Sequence, residues 1–239
     1  MKETIFVAGA TGAIGQRLIP LLLADGWSVV GMTRSAGRAE DLRSRGVEAV
    51  VADAFDAEAV LKAVTRASPS VVMHQLTDLP RELSKLDAAA LARNARLREE
   101  GTRNLVAAAR AAGARRLVAQ SIAFSYAEGP RPYHEGAPLA GDLPDASDTA
   151  RGVVSLERQV LGSGLEAVVL RYGKLYGPGT GADRPWGSGA VHSDAAAHAA
   201  LLACRSTATG VFNIAEEDGE VDSARARMEL GWSEDWRAP

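Results

Sequence analysis

A single cysteine, Cys204, among 239 residues leaves the chain without an internal disulfide framework and without a cysteine cluster for a metal. Set in an alanine-rich stretch, it reads as a packing residue rather than a nucleophile. Charge of one sign is missing too: 27 Lys and Arg face 30 Asp and Glu, a net charge of −3, so no basic field points to nucleic acid or to an anionic membrane. No apolar run approaches the ~18 residues of a membrane span, and no basic-then-apolar signal region precedes the first strand. A cytoplasmic protein with no membrane partner is expected. His74, His134, His192 and His198 lack the spacing and acidic neighbours of a zinc site, so no metal is expected. Neither a Gly-x-Ser-x-Gly elbow nor a Gly-Lys-Thr phosphate loop occurs.

What is there is the composition of an ordinary globular protein, 46% hydrophobic and 24% charged, long enough for one α/β domain with a small appendage. Short Val/Ile-rich runs alternate with helical patterns, the signature of a parallel sheet with crossover helices. Strands are predicted at Thr4 to Ala8, Ser28 to Met32, Val47 to Val51, Ser70 to His74, Arg116 to Gln120 and Ala167 to Leu170, the last completing the sheet. Helices are predicted at Ala13 to Ala24, Arg38 to Arg45, Ala57 to Ala67, Asp87 to Ala112 and Ala146 to Leu161, several followed by the glycine that ends a helix. The tail holds a helix at Asp194 to Cys204, with Asp194 a candidate N-cap, a short strand Val211 to Ile214 and a helix Val221 to Leu230. Two Gly- and Pro-rich stretches, Ala127 to Asp145 and Gly177 to Gly189, follow strands and read as site loops. The arginines Arg93, Arg96, Arg98, Arg103 and Arg110 alternate with glutamates and are expected on a solvated, ion-paired helix face or a subunit contact.

The strongest signal is Val7-Ala8-Gly9-Ala10-Thr11-Gly12-Ala13-Ile14-Gly15, glycines at spacings of three between a strand and a helix. Gly9 permits the tight turn, Gly12 lets the backbone approach a pyrophosphate, and Gly15 allows helix to pack closely on strand. The first N–H groups of the helix then face the phosphate charge. This is a dinucleotide turn within a βαβ unit, and the fold expected is an α/β, Rossmann-type doubly wound parallel sheet with a reduced C-terminal substrate region. Residues 1–179 form the dinucleotide-binding domain and 180–239 a short substrate-side appendage packed on it.

An acidic residue at the end of the second strand would select NAD, but Gly31-Met32-Thr33-Arg34-Ser35 has none. Arg34, helped by Thr33, Ser35 or Arg38, suits the 2′-phosphate of NADP, with NAD the alternative. Asp53, followed by Ala54, ends the third strand near the expected adenine, although helix capping by Asp53 or Asp56 is an equal use.

Together with Val72-Met73-His74-Gln75-Leu76-Thr77, Gly101-Thr102-Arg103-Asn104-Leu105, Ala119-Gln120-Ser121 and Arg171-Tyr172-Gly173-Lys174-Leu175-Tyr176-Gly177-Pro178-Gly179, the glycine turn resembles the extended and atypical short-chain dehydrogenase/reductases, in particular NAD-dependent epimerase/dehydratase-like proteins. The resemblance covers roughly Lys2 to Gly179. It implies that His74, Gln75 and Leu76 line the ribose side of the cofactor, that Ser121 faces substrate, and that Tyr172, Gly173, Leu175 and Tyr176 meet the nicotinamide. It also implies possible homodimers, through the long helix and the helix after Ala146.

The chain departs from that family where chemistry matters. The family's Tyr-x-x-x-Lys motif precedes a glutamate by a few residues; alignment on Glu157 puts Thr149 in place of the tyrosine and Val153 in place of the lysine. Neither supports proton transfer in the family's manner. Replacement donors are sought in the loop after the fifth strand: Tyr126, Tyr133 with His134, or Ser121 with water. Tyr172 or Tyr176 could also give a proton, though packing on the nicotinamide suits them better. His192, in Val191-His192-Ser193-Asp194, resembles the segment that follows the family's substrate insertion, here nearly absent. The expectation is an NADP-dependent oxidoreductase or epimerase/dehydratase-like enzyme for a small carbonyl or hydroxyl substrate. The alternatives are a non-catalytic NADP-binding sensor and, more distantly, non-redox chemistry.

Overall fold

The computed structural model describes residues 2–80 and 85–238. Helix starts are set by side-chain caps: Ser35 Oγ accepts from the Arg38 N–H at 3.4 Å, Asp56 from Ala59 at 3.0 Å, Asp87 from Ala90 at 2.7 Å and Ser147 from Ala150 at 3.3 Å. Between these points run β1 (Thr4–Ala8), α1 (Ala13–Ala24), β2 (Ser28–Thr33), α2 (Ala36–Ser44), β3 (Glu48–Val51), α3 (Ala57–Ala67), β4 (Val71–His74), α4 (Ala88–Arg96), α5 (Thr102–Ala111), β5 (Arg116–Ile122) and α6 (Asp148–Leu161). There follow β6 (Glu166–Tyr172), β7 (Lys174–Tyr176), β8 (Ala190–His192), α7 (Ser193–Arg205), β9 (Gly210–Ile214) and α8 (Ala224–Leu230).

The main sheet is parallel throughout, in the order β3-β2-β1-β4-β5-β6-β9. Its order reverses between β1 and β4, which opens a crevice at their carboxyl ends. The central strands are buried on both faces, as the unbroken apolar run Ile5-Phe6-Val7-Ala8 requires. Ile5, Val7, Leu18, Leu22 and Phe212 belong to the core under α1 and α7; Phe6, Val72, Leu105, Leu117 and Val160 belong to the core on the opposite face. Ala195, Ala196, Ala199, Ala200 and Ala203 are all fully buried, so the small side chains of α7 let it lie close against α1 and the sheet. Cys204 belongs to the same packing: burial pushes its thiol up to about 12, and Sγ donates to Ala200 O.

Several expectations need correction. The sheet does not end at the sixth strand, because β9 joins β6 in parallel register from Val168↔Gly210 to Tyr172↔Ile214. Residues beyond 180 therefore supply an edge strand of the main sheet and the α7 helix that covers it. The helix read as continuous from Asp87 to Ala112 is interrupted at Leu97–Gly101 by a π-helical turn, a feature with no apolar periodicity of its own. β7 and β8, missed because each is so short, form a separate parallel pair, Lys174↔Ala190 to Tyr176↔His192. Val221 starts no helix; it bridges to Tyr133. Asp194 does not cap α7, since the His192 ring accepts its N–H at 3.2 Å while its carboxylate pairs with Arg17 at 2.5 Å. No described helix is long and apolar enough to cross a membrane.

Candidate cofactor site and active-site crevice

The glycine turn leaves β1 with Gly9 at φ +90 and is closed by Gly12 N–H donating to Gly9 O at 3.0 Å. The three glycines are required for different reasons. A Cβ on Gly9 would stand 2.2 Å from Gln75 O, and one on Gly15 would stand 2.3 Å from Gly9 O and 2.6 Å from Ala10 O. Gly12 is different: a Cβ there would meet only Gly9 O at 3.3 Å and Gln75 O at 4.0 Å, so its outer side is open. Gly12 also precedes α1 without a side-chain cap and with no acidic residue in the first turn. The first N–H groups of α1, from Ala13 onward, have no intrahelical acceptor and are free for an anion. Ile14 points into the core, and Thr11 Oγ1 lies 3.4 Å from Thr33 Oγ1. Gly179, at the start of the loop after β7, approaches the turn: a Cβ there would lie 3.7 Å from Ala13 Cα. This cradle fits the pyrophosphate of a dinucleotide.

At the end of β2, Arg34 is extended into solvent with 68% of its side chain exposed, its Nη2 2.8 Å from Asp78 Oδ1. Arg93 approaches the other oxygen of Asp78 at 3.6 Å. The carboxylate absent from β2 is thus delivered from the segment after β4, where nothing in the local sequence marked it. Asp53 is exposed and accepts from Phe55 N–H, whereas the capping role falls to Asp56. Ala54 is buried, and its carbonyl is held by Asn104 Nδ2 at 2.9 Å.

The side chains expected to line the cofactor ribose and nicotinamide mostly turn inward. His74 is buried, with Nε2 2.8 Å from Thr102 Oγ1 and Nδ1 accepting from Leu76 N–H at 3.3 Å. Burial, reinforced by the nearby Arg98 charge, lowers its pKa to about 4, so the ring is neutral. Gln75 is also buried, its amide nitrogen on Met73 Sδ at 3.2 Å and its carbonyl oxygen without a partner. What this segment offers the crevice is backbone, pressed against Gly9, and the half-buried Leu76. Tyr172, the last residue of β6, is 1% exposed and packs in the core. Burial raises the pKa of its hydroxyl, against a smaller opposing effect of the neighbouring Gln75 side chain. Gly173 has no room for a side chain, with Gly189 O 2.2 Å from a built Cβ, and Leu175 is half-buried beside the α1/α7 core. Tyr176 donates to Glu216 Oε1 at 2.7 Å, and burial together with that carboxylate pushes its pKa up to about 12.

Ser121, Tyr126 and Tyr133 are brought to one side of the crevice, but as parts of a bonded network. Ser121 Oγ, buried, donates to Glu157 Oε1 at 2.6 Å instead of facing outward. Glu157 is gripped by Arg171 through two bonds, of 2.9 and 2.6 Å, with both side chains 5% exposed. Burial opposes the charge on Arg171, but the bonds and charge of Glu157 outweigh it and hold the guanidinium above its usual pKa. Arg171 Nη1 donates to the Tyr126 hydroxyl at 2.9 Å, which donates in turn to Asn213 Oδ1 at 2.6 Å. Burial raises the Tyr126 pKa against these partners, so its proton is committed to Asn213. Tyr133 stacks on Tyr126, centroids 4.9 Å apart, and its hydroxyl accepts from Gly129 N–H at 3.3 Å. His134 Nδ1 accepts from Gly136 N–H in an exposed turn.

On α6, Val153 is fully buried with Leu139 and Val154 against Ile122 and Tyr126, and Thr149 is half-buried at the start of the helix. The Thr149 carbonyl accepts from Arg98 Nη1 at 3.4 Å. Arg98 corrects the expectation of a solvated arginine face: it is only 7% exposed, because the π turn rotates it inward, and burial lowers its pKa to about 10. Arg96 does remain on the exposed face, in a bidentate pair with Glu100 at 2.9 and 3.0 Å. Among the described residues no three His, Cys, Asp or Glu side chains gather as metal ligands.

Residues 9–203 match the NAD(P)H-binding family model, and the chain belongs to that family. It is 48% identical over 236 residues to a 3-diazoavenalumate denitrifying reductase of Streptomyces sp, an alignment covering 90% of this chain and 76% of that protein. It is 33% identical over 208 residues to a UDP-glucose 4-epimerase of Mycolicibacterium smegmatis, covering 84% of this chain and 64% of the epimerase. Among solved structures, UDP-glucose 4-epimerase of Thermotoga maritima with UDP-glucose superposes with a TM-score of 0.80 at 20% identity, over 97% of this chain and 94% of that one. The Bordetella bronchiseptica enzyme WbmG in complex with NAD gives 0.79 at 18% identity, over 100% and 91%. At such identities these two show the fold alone. The chain is an NAD(P)-dependent, oxidoreductase- or epimerase-like enzyme of the short-chain dehydrogenase/reductase type, and the sensor alternative finds no support beside a 48% identical reductase.

Proposed function

We propose that the protein is an NADPH-dependent reductase that replaces a leaving group on carbon by hydrogen, with a small diazo compound as substrate. The observation that carries the reading is the state of α6: Val153, which alignment on Glu157 puts in place of the family's motif lysine, is sealed in an apolar cluster. A carbonyl reduction needs a proton on the developing alkoxide, which the family's Tyr-x-x-x-Lys motif would deliver. A denitrifying reduction does not. The hydride forms a C–H bond on the carbon that bore nitrogen, the C–N bond breaks with its electron pair leaving in N2, which departs unprotonated, and the one proton gained ends on the same carbon of a diazoalkane or on the conjugated oxygen of a diazo-quinoid ring. Water suffices for the single proton. The Streptomyces relative, a denitrifying reductase by name, supports this choice over epimerisation. So does the short connection from β7 to β8, with little chain for a nucleotide-sugar lobe.

A nicotinamide would supply the hydride when bound. The chain's part is to hold and orient it: Gly9, Thr11, Gly12, Ala13, Ile14 and Gly15 cradle the pyrophosphate, Thr33 and Arg34 take the 2′-phosphate, Asp53 and Ala54 border the adenine, and the backbone at His74, Gln75 and Leu76 walls the ribose. Arg34 supports NADP over NAD, although a 2′-phosphate would compete with Asp78 for its guanidinium. Ser121 and Tyr126 then act as positioning residues, keeping β5 and β6 in register with α6, rather than as acids. Gly173 and Leu175 hold the chain beneath the nicotinamide.

The test is to titrate NADPH and NADH by fluorescence and then follow NADPH oxidation with aryl diazo compounds and with a panel of aldehydes and ketones. NADPH carrying deuterium at C4 should place deuterium on the carbon that lost nitrogen. Turnover of carbonyls without diazo turnover, or a product free of deuterium, would overturn the reading.

A further inference from the structure

Of the arginines at 93, 96, 98, 103 and 110, only Arg98 is taken out of solvent, and the protein does little to satisfy it. Its Nη1 reaches the Thr149 carbonyl at 3.4 Å, a long bond, and no carboxylate oxygen of the described residues lies within 4.0 Å of the guanidinium. Glu157 acts on it from farther off, but both oxygens of that carboxylate are already taken by Arg171. Nε and Nη2 have no partner among the described residues, yet they are not sealed from solvent. A buried charge without a partner is costly, and such groups gather where a ligand completes them.

The π turn at Leu97–Gly101 puts this guanidinium where the sheet opens. Thr102, directly after the turn, bonds His74 at the end of β4 at 2.8 Å, and Thr149 is the second residue of α6. Arg98 therefore lies between the carboxyl end of β4 and the start of α6. β4 is the neighbour of β1, about 4.8 Å from the strand that carries the glycine turn. With the adenosine half of a dinucleotide over β2 and β3, the other half leaves the turn across β4. The first group to arrive there is the ribose that carries the nicotinamide. α6 brings no free charge to that place: Val153 is apolar and sealed, and Arg151 and Arg158 are exposed and paired with Asp148 and Asp142.

We propose that Arg98 binds the cofactor directly, its free N–H groups donating to the hydroxyls of the nicotinamide-side ribose, two neighbouring oxygens that the planar fork of a guanidinium meets together. The proposal rests on the glycine turn seating the pyrophosphate. Two ligands differ at the sugar in question: 2′-phospho-ADP-ribose carries it and 2′,5′-ADP ends before it. In calorimetric titrations Arg98→Met should weaken 2′-phospho-ADP-ribose by about tenfold, the scale of one charge-assisted hydrogen bond, and leave 2′,5′-ADP unchanged. Arg98→Lys, which keeps the charge without the fork, should recover part of the loss. A merely structural arginine would weaken both ligands alike. Equal losses, no loss, or an Arg98→Lys protein no better than Arg98→Met would each overturn the proposal. Should Arg98→Met not fold, the unaltered protein labelled with 15N-arginine decides. The Nε–H resonance absent from Arg98→Lys should move with 2′-phospho-ADP-ribose and stay in place with 2′,5′-ADP; movement with both, or with neither, overturns the proposal. The sugar is common to both dinucleotides, so tighter binding of NADH than of NADPH would sink the NADP reading and carry the same test over to ADP-ribose and AMP. Equal losses in Arg98→Met beside normal NADPH binding would sink only the role of Arg98.

Discussion

Gly12→Ala separates the cofactor cradle from the fold. The added methyl would touch only Gly9 O, at 3.3 Å, which a shift of a few tenths of an ångström relieves. Gly12 has φ −78 and ψ 177, which alanine adopts without strain. The lost backbone freedom of the unfolded chain favours alanine by about 0.4–1 kcal/mol, and alanine's poorer helix capping costs a similar amount. Net stability should therefore stay within about 1 kcal/mol of the parent. The methyl nevertheless occupies the side from which a pyrophosphate reaches the α1 amides. A ligand at 100 times its Kd stabilises the folded state by about 2.7 kcal/mol, which for a domain of this size raises Tm by on the order of 5–10 °C. The assay is thermal unfolding with and without NADPH: Gly12→Ala should melt like the parent alone and lose most of the NADPH-induced rise. Gly9→Ala and Gly15→Ala, whose methyls strike backbone at 2.2 and 2.3 Å, should melt several degrees lower even without ligand. A Gly12→Ala protein with an undiminished NADPH shift would refute the cradle.

His74 has a folded pKa of about 4 against 6.5 unfolded, so below pH 6.5 the unfolded chain binds the extra proton and stability falls as pH drops toward 4. The loss is on the order of 3 kcal/mol, and urea unfolding at intervals across that range should show it in the parent and a flatter profile in His74→Asn. Glu157→Gln strands the Arg171 charge between buried partners and should cost about 3–5 kcal/mol, on the order of 10 °C in Tm, with Glu157→Gln/Arg171→Met recovering part of it; a drop of only a degree or two would mean that water reaches the pair. Asp78→Asn should free Arg34 and tighten NADPH binding by about threefold with NADH unchanged, and Arg34→Ala should weaken NADPH by about tenfold or more with little effect on NADH. Equal losses for both cofactors in Arg34→Ala would remove the NADP assignment.

The elements that could be read in one dimension are those whose cause is local. β1, β2, β4, β5 and β6 follow from apolar runs that are largely buried, α1 and α3 begin and end at the residues their patterns mark, and the glycine turn announces itself by spacing alone. The order of strands around β1 and β4, and with it the crevice, follows from that alternation and from right-handed crossovers. The expectation that Thr149 and Val153 replace the family's tyrosine and lysine comes from the same reading, with Glu157 as its frame.

What only the tertiary structure decided is where side chains point and with whom they pair. Ser121, Tyr126 and Tyr172 have the right types in the right segments, yet strand alternation and the approach of α6 and β9 from elsewhere in the chain turn them into a buried network or core. Arg98 looks solvated from its acidic neighbours and is buried by a π turn that no periodicity signals. Asp78 reaches Arg34 across 44 positions. Pairing depends on distance in space, and the amino-acid order determines it only after the sheet has brought these segments together.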